Sequence, residues 1–251
     1  MSWRLSLAAL ALSLGACASG PTADPRDPLE PFNRGVYRFI DALDRAIVAP
    51  VATGYRDAVP QPVRTGVRNF FNNIQDAWSA LNAALQLKGE VAGNNLFRFG
   101  VNTVFGLGGL LDIASEMRIP RQTEDFGQTL GHWGVGSGPY LVLPLLGPST
   151  LRDGAALGVD ACGDLSLGSA EVGKRSTSTV LQLVDKRANL LGATGMLDRV
   201  ALDPYTFVRD AHLQRRLNAV YDGDPPDPAP EAYDTSDEQN VTPAAPAKTK
   251  P

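Results

Sequence analysis

Only two cysteines and two histidines occur among the 251 residues, and that scarcity excludes several kinds of chemistry. His132 and His212 stand far apart, with no Cys-x-x-Cys or His-Glu-x-x-His spacing to gather metal ligands. A basic excess is also missing: the formal net charge is -4, and outside Arg4 and the C-terminal tail the acids and bases nearly balance. Nucleic-acid binding, which asks for a basic face, is disfavoured by that balance. No Walker A lysine follows any glycine run, and Gly134-Val135-Gly136-Ser137-Gly138-Pro139 has proline where a dinucleotide fingerprint needs its third glycine. The glycines flanking Ser137 are one place too close for a nucleophile elbow. Asp125, His132 and Ser137 have the residue types of a hydrolase triad, but without an elbow or an oxyanion motif no enzyme is expected. His132 reads better as a polar residue satisfied at a helix end. Strand alternation and solenoid repeats are absent as well.

What is present begins with MSWRLSLAALALSLGAC. A cation at Arg4 precedes an uncharged apolar run, Leu5 to Leu14, with the length of a signal-peptide core and about half the ~20 residues a helix needs to span a bilayer. Leu14-Gly15-Ala16-Cys17 resembles the bacterial lipobox, in which the cysteine is acylated and becomes the new amino terminus. Ala16-Cys17-Ala18 also fits the A-x-A site of the ordinary signal peptidase, although a cysteine at that place favours lipidation. Residues 1–16 are thus read as signal peptide and 17–26 as the lipidated Cys17 with its tether, whose nine residues after the cysteine reach only about 30 Å. Ala18, rather than aspartate, after the cysteine favours delivery to the outer membrane. With Cys17 acylated, Cys162 has no intramolecular partner and is expected to be a buried small hydrophobe.

Residues 27–223 form one domain, and residues 224–251, with seven prolines and almost no bulky apolar side chain, read as a disordered tail. The periodicity of the domain is helical. Phe32, Val36, Phe39, Leu43 and Ile47 share one face, with a start near Asp27-Pro28-Leu29-Glu30 or at Pro31 and a stop at Pro50. Val63, Val67, Phe70, Phe71 and Ile74 follow, and Trp78, Leu81 and Leu85 belong to a next helix closed by Gly89. Further helices are expected from Glu90 to the glycines of residues 106–109, over Ser169 to Leu191, and from Asp203-Pro204 through Leu217 to Gly223.

One stretch breaks the pattern. No charged residue occurs from Phe126 to Leu151, yet six glycines and three prolines interrupt the run. Pro139, Pro144 and Pro148 each delete a backbone donor, so a straight membrane helix is excluded. Such backbone survives near hydrocarbon only when buried in protein or lining a wet cavity, and Gly134 to Pro148 is therefore expected to form a wall or floor. Arg152-Asp153 follows as a local ion pair at the foot of a helix.

The motifs Asp27-Pro28-Leu29-Glu30-Pro31-Phe32-Asn33-Arg34, Asn69-Phe70-Phe71-Asn72-Asn73, Arg98-Phe99, Asn102-Thr103 and Gly106-Leu107-Gly108-Gly109 resemble, in order, those of the MlaA (VacJ-like) lipoproteins. The resemblance continues through residues 126–134, Gly138-Pro139-Tyr140, Pro144, Gly147-Pro148, Leu151-Arg152-Asp153, Asp203-Pro204-Tyr205 and Arg209-Asp210-Ala211. One departure is Ala77 after Asp76, where the family commonly has proline; another is the variable stretch from Asp160 to Gly173. The resemblance implies an all-α, ring-like domain of amphipathic helices lying in the inner leaflet of the outer membrane around a central polar passage. It further implies removal of mislocalised phospholipid from the outer leaflet and transfer to a soluble periplasmic carrier linked to an inner-membrane ABC-type complex, in association with a trimeric porin. Phospholipid would be the transported ligand, with no cofactor beyond the covalent lipid on Cys17.

On that footing the passage is expected to be lined or gated by Gly134, Gly136, Gly138, Pro139, Tyr140, Leu143, Pro144, Gly147 and Pro148, with Tyr140, Arg152 and Asp153 facing it. Phe70, Phe71, Phe97 and Phe105 are the candidates for the acyl region, although each also fits an ordinary core. The rival class is a structural lipoprotein that scaffolds a porin or envelope complex without moving lipid; co-extraction of lipid in mild detergent separates the two.

Overall fold

The computed structural model describes residues 24–163 and 172–226; the signal segment, Cys17 and the tail beyond residue 226 lie outside them. Helix α1 spans Glu30–Leu43. Pro31 falls in its first turn, where an amide donor has no helical acceptor to lose. Asp27 does not cap this helix. Its carboxylate is buried, accepting from Asn33 Nδ2 at 2.8 Å and from the Tyr205 hydroxyl. Nor does Pro50 end the run: Asp44–Val48 widens into a π-helical turn, and α2 continues over Ala49–Ala58 with Pro50 in its first turn. The Ala49 amide reaches back to the Asp44 carbonyl, five residues away, so the wider turn makes room for a ring that would otherwise strike the preceding turn.

The two helices expected after Pro62 are one, α3, running over Gln61–Leu85. Ala77 keeps the amide that proline would remove, so nothing interrupts the ladder. Its end is set by Leu87, which takes a left-handed φ of 61°, and Gly89 opens the next helix instead of closing this one. Helix α4, Gly89–Val104, packs back along α3. Polar side chains fill the interface: Asn73 Nδ2 donates to Thr103 at 2.9 Å, and Arg98, only 1% exposed, reaches Asp76 at 3.3 Å and Asp112 at 2.9 Å. Arg121 closes on the other Asp76 oxygen. Burial pushes the Asp76 carboxyl above its ordinary value although both guanidiniums pull the other way. Asp112 also caps the short α5, Ile113–Glu116.

Helix α6, Phe126–His132, is capped by Asp125, whose carboxylate accepts from the Gln128 amide at 2.8 Å. The uncharged run then forms a small antiparallel hairpin, β1 (Tyr140–Leu143) and β2 (Gly147–Thr150), paired from Tyr140↔Thr150 to Leu143↔Gly147. Three helices complete the fold: α7 over Leu151–Gly163, α8 over Val172–Val200 and α9 over Pro204–Val220, the last capped by Asp203. Cys162 is exposed on α7, not buried as expected, because the outward side of the helix carries it.

The contacts close a circuit. α1 leads through α2 to α8, α8 meets α3, α3 meets α6, α6 meets α9, and the hairpin joins α9 back to α1. Among the described residues apolar packing forms small clusters, one around Tyr140, Val142 and Tyr205 and another around Ala52, Val184 and Ala188.

Candidate functional site

Between α6 and β1 the chain turns over a cavity of about 370 Å³. Gly134 (φ 89°) and Gly138 (φ 66°) take left-handed conformations that bend this loop around the opening. Gly131, Gly134, Gly136, Ser137, Gly138 and Arg152 form one wall, and α9 supplies Leu213, Arg216, Leu217 and Val220 opposite. The lining joins three guanidiniums, of Arg26, Arg152 and Arg216, to an aliphatic surface.

The charges are held by a relay. Arg152, 8% exposed, donates from Nε to Asp153 at 2.9 Å and from Nη1 to the Val135 carbonyl at 3.3 Å, which leaves Nη2 at the cavity wall without a partner among the described residues. Asp153 accepts in turn from Arg216 at 2.8 and 3.0 Å, and Arg216 also grips Asp125 at 3.0 Å. Burial acts to raise the Asp125 carboxyl, but Arg216 and the Gln128 amide outweigh it and hold the group below the ordinary carboxylate value. Arg216 stays charged: burial opposes its charge, and Asp125 and Asp153 more than compensate.

Of the residues expected to line the passage, Gly134, Gly136, Gly138 and Arg152 meet at this cavity. Asp153 sits behind Arg152, and the Pro139 carbonyl accepts from the Leu151 amide at 3.0 Å. Tyr140 is fully buried, edge-on to Tyr205 and His212 with ring centroids 6.3 and 6.1 Å away. Leu143 is half-buried toward α7, where Gly154 leaves room for it. Pro144 is exposed at the hairpin tip beside Leu145 (φ 65°), while Gly147 (φ 84°) and Pro148 turn back into β2. Asp125 is committed to Arg216 and Gln128, and among the described residues no hydrogen bond joins it to His132 or Ser137. The contribution of α9 was legible only as a helix. The signal was Arg216 within the apolar stripe Leu213, Leu217, Val220, a charge where helical spacing calls for a buried face.

Burial across the molecule is inverted. Among the described residues 18 polar or charged side chains are buried against 13 apolar ones, whereas soluble domains bury mostly apolar residues. Meanwhile Phe97, Val104, Phe105 and Leu107 are 53–71% exposed, and α1 turns Phe32 and Phe39 outward. Phe70 is 40% exposed; Phe71 is buried against it, edge-on at 5.6 Å. No described helix is long and apolar enough to cross a membrane.

A circuit of helices closed by one hairpin, apolar outside and polar within, with no described helix both long and apolar enough to cross a bilayer, defines a peripheral, ring-like membrane-associated helical domain. The chain belongs to the MlaA lipoprotein family, whose model matches residues 25–219. It is 42% identical over 226 residues to an intermembrane phospholipid transport system lipoprotein of Shigella flexneri, covering 86% of this chain and 88% of that one. The counterpart bearing the same description in Escherichia coli K12 is 41% identical over 229 residues, with the same coverage of both chains. A solved chain from work on the structural basis for maintenance of bacterial outer membrane lipid asymmetry superposes with a TM-score of 0.68 at 38% identity, covering 77% of this chain and 98% of that chain.

Proposed function

We propose that the chain is an outer-membrane lipoprotein that takes mislocalised phospholipid from the outer leaflet and hands it to a soluble periplasmic carrier, preserving lipid asymmetry. It is anchored through Cys17 on the periplasmic face, works beside a trimeric porin, and its carrier serves an inner-membrane ABC-type complex. The inverted burial carries this reading: an apolar exterior suits an acyl environment, and a polar interior suits a zwitterionic or anionic head. The relatives' descriptions as phospholipid-transport lipoproteins support it.

The cavity under residues 134–138 supplies the lane for the head. A phospholipid crossing it meets the free Nη2 of Arg152 for its phosphate, and Leu213, Leu217 and Val220 beside that for its glycerol and upper chains. Asp125 and Asp153 keep the guanidiniums placed without leaving them bare in the apolar wall.

The test is outer-leaflet phospholipid, assayed in cells by its accessibility to an external phospholipase. Cells lacking the chain should accumulate it, the wild-type chain should clear it, and Cys17→Ala should not. Normal outer-leaflet lipid without the chain, with a porin lost instead, would favour the scaffolding class.

A further inference from the structure

The seam between α3 and α8 contains two cavities that meet at Phe71. The first, about 520 Å³, is walled by Val67, Phe70, Phe71, Leu110 and Leu181. The second, about 300 Å³, has Arg68, Asn72, Gln75, Gln182, Lys186 and Asn189 in its wall. Their sizes fall within the ~300–1,000 Å³ usual for small-molecule sites. The division follows from sequence: on α3, Val67, Phe70 and Phe71 form one strip and Arg68, Asn72 and Gln75 the adjoining one, at spacings of three and four. Two adjoining apolar chambers that share Phe71, the second edged by polar and cationic side chains, suit an amphiphile.

Several cations, Arg38, Arg64, Arg118 and Arg215 among them, pair with no carboxylate among the described residues, and two more such cations, Arg68 and Lys186, share the wall of the second chamber. Arg98, Arg121, Arg152, Arg187, Arg209 and Arg216 each hold a carboxylate. Arg68 does not, its one contact being Nη1 to Asn189 Oδ1 at 3.5 Å, and among the described residues no carboxylate pairs with Lys186. Asp185 also lines this chamber, but it is 3% exposed and occupied by the Tyr55 hydroxyl at 3.3 Å and Asn189 Nδ2 at 3.2 Å. Two cations therefore edge one small chamber, and among the described residues no carboxylate pairs with either. The first chamber opens among Phe70 and Leu110, 40% and 44% exposed, on a surface that the transport reading places in lipid.

We propose that this seam holds one phospholipid, with an acyl chain in the Phe70–Leu181 chamber and the phosphodiester between Arg68 and Lys186. The site is separate from the cavity under the glycine loop and gives the ring a second, lateral station for its cargo. This rests on the transport reading and locates where the lipid waits.

The experiment places benzoylphenylalanine at Leu181, or as a control at Phe105, in the full-length chain in cells whose phospholipids are labelled with radiophosphate. Adducts are counted with and without Arg68→Glu combined with Lys186→Glu. A held lipid gives a Leu181 adduct that falls about tenfold in the charge-reversed chain and returns with Arg68→Lys plus Lys186→Arg, while Phe105 labelling is unchanged. A Leu181 adduct indifferent to both cations reports bulk lipid and overturns the proposal. So does no Leu181 adduct where Phe105 labels. Outer-leaflet phospholipid measured in the same cells separates the two failures: normal clearance with no cation-dependent adduct removes the seam alone, and absent clearance by the wild-type chain removes the transport reading.

Discussion

Asn33 completes the edge of β1 at Val142. Its Oδ1 accepts from the Val142 amide at 2.9 Å, and its Nδ2 donates to the Tyr140 carbonyl at 3.1 Å and to Asp27 at 2.8 Å. A two-stranded hairpin alone is marginal in water. Here one fully buried side chain from α1 stands in for a third strand and ties the glycine-rich segment to the first helix.

Replacing Asn33 with alanine should therefore loosen the hairpin more than the helix that carries Asn33. Three buried groups lose their partner, and a cost of about 3 kcal/mol is expected from one to two of them staying unsatisfied. Hydrogen exchange should locate it: the Val142 amide should lose protection while amides of α3 and α4 keep theirs. Equal loss everywhere would show that Asn33 acts only through global stability.

Gly131 brings the α6 backbone against Arg152 and Val220 in the cavity wall. A Cβ there would lie 2.6 Å from Arg152 Nη1 and 2.9 Å from Val220 Cγ2. Gly131→Ala should cost ~1–3 kcal/mol by overpacking. Gly136→Ala, where nothing lies within 4 Å, should change stability by less than about 0.5 kcal/mol. Thermal unfolding of the pair checks the contrast, and equal melting temperatures would refute it.

How far the sequence revealed this arrangement depends on what each residue does. Helices with caps or breakers were legible, as with Asp203 before α9 and the glycines after α4, because local chemistry decides those ends. Pro50 and Gly89 misled, since a π-turn at the one and a left-handed Leu87 ahead of the other are tolerated only when surrounding structure holds them. The hairpin was hidden for a related reason: its outer edge is satisfied by Asn33, 107 residues before Tyr140, and its own four-residue strands are too short to show alternation. Periodicity also fixed which residues share a face, not which way that face points. Of the expected stripe on α1, Phe32 and Phe39 face outward while Val36 packs against the cluster of Tyr140, Val142 and Tyr205.

Arg216 bridges Asp125 and Asp153, so its removal leaves two half-buried carboxylates held only by Gln128 and Arg152. Arg216→Met should destabilise the fold by about 1.5–3 kcal/mol, and adding Asp125→Asn with Asp153→Asn should recover most of that loss. Denaturant unfolding of the single and triple variants measures the difference. No recovery would mean that Arg216 matters through packing of its stem against α6.

His212 lies against Tyr140 with Nε2 buried and unpaired. Burial, with Arg215 and Arg216 nearby, lowers its pKa from 6.5 to about 4. The unfolded chain then takes up this proton first, so the stabilisation is complete above pH ~6.5 and is lost as pH falls toward 4. Wild-type melting temperature should decline between pH 7 and 5, and His212→Gln should flatten that segment of the curve. An unchanged slope in the variant would assign the decline to other groups.

The outward aromatics make a prediction independent of the cavities. Phe97 and Phe105 are 53% and 70% exposed on and just beyond α4, and each is worth ~1.5–3 kcal/mol when fully withdrawn from water. With residues 1–17 removed, so that no acyl anchor contributes, the remaining chain should still bind phospholipid vesicles. Phe97→Asp with Phe105→Asp should weaken that partitioning by about 100-fold without lowering the melting temperature, because neither ring supports the core. A fall in stability with unchanged partitioning would place these rings inside the protein, and the apolar exterior would then need another explanation than lipid.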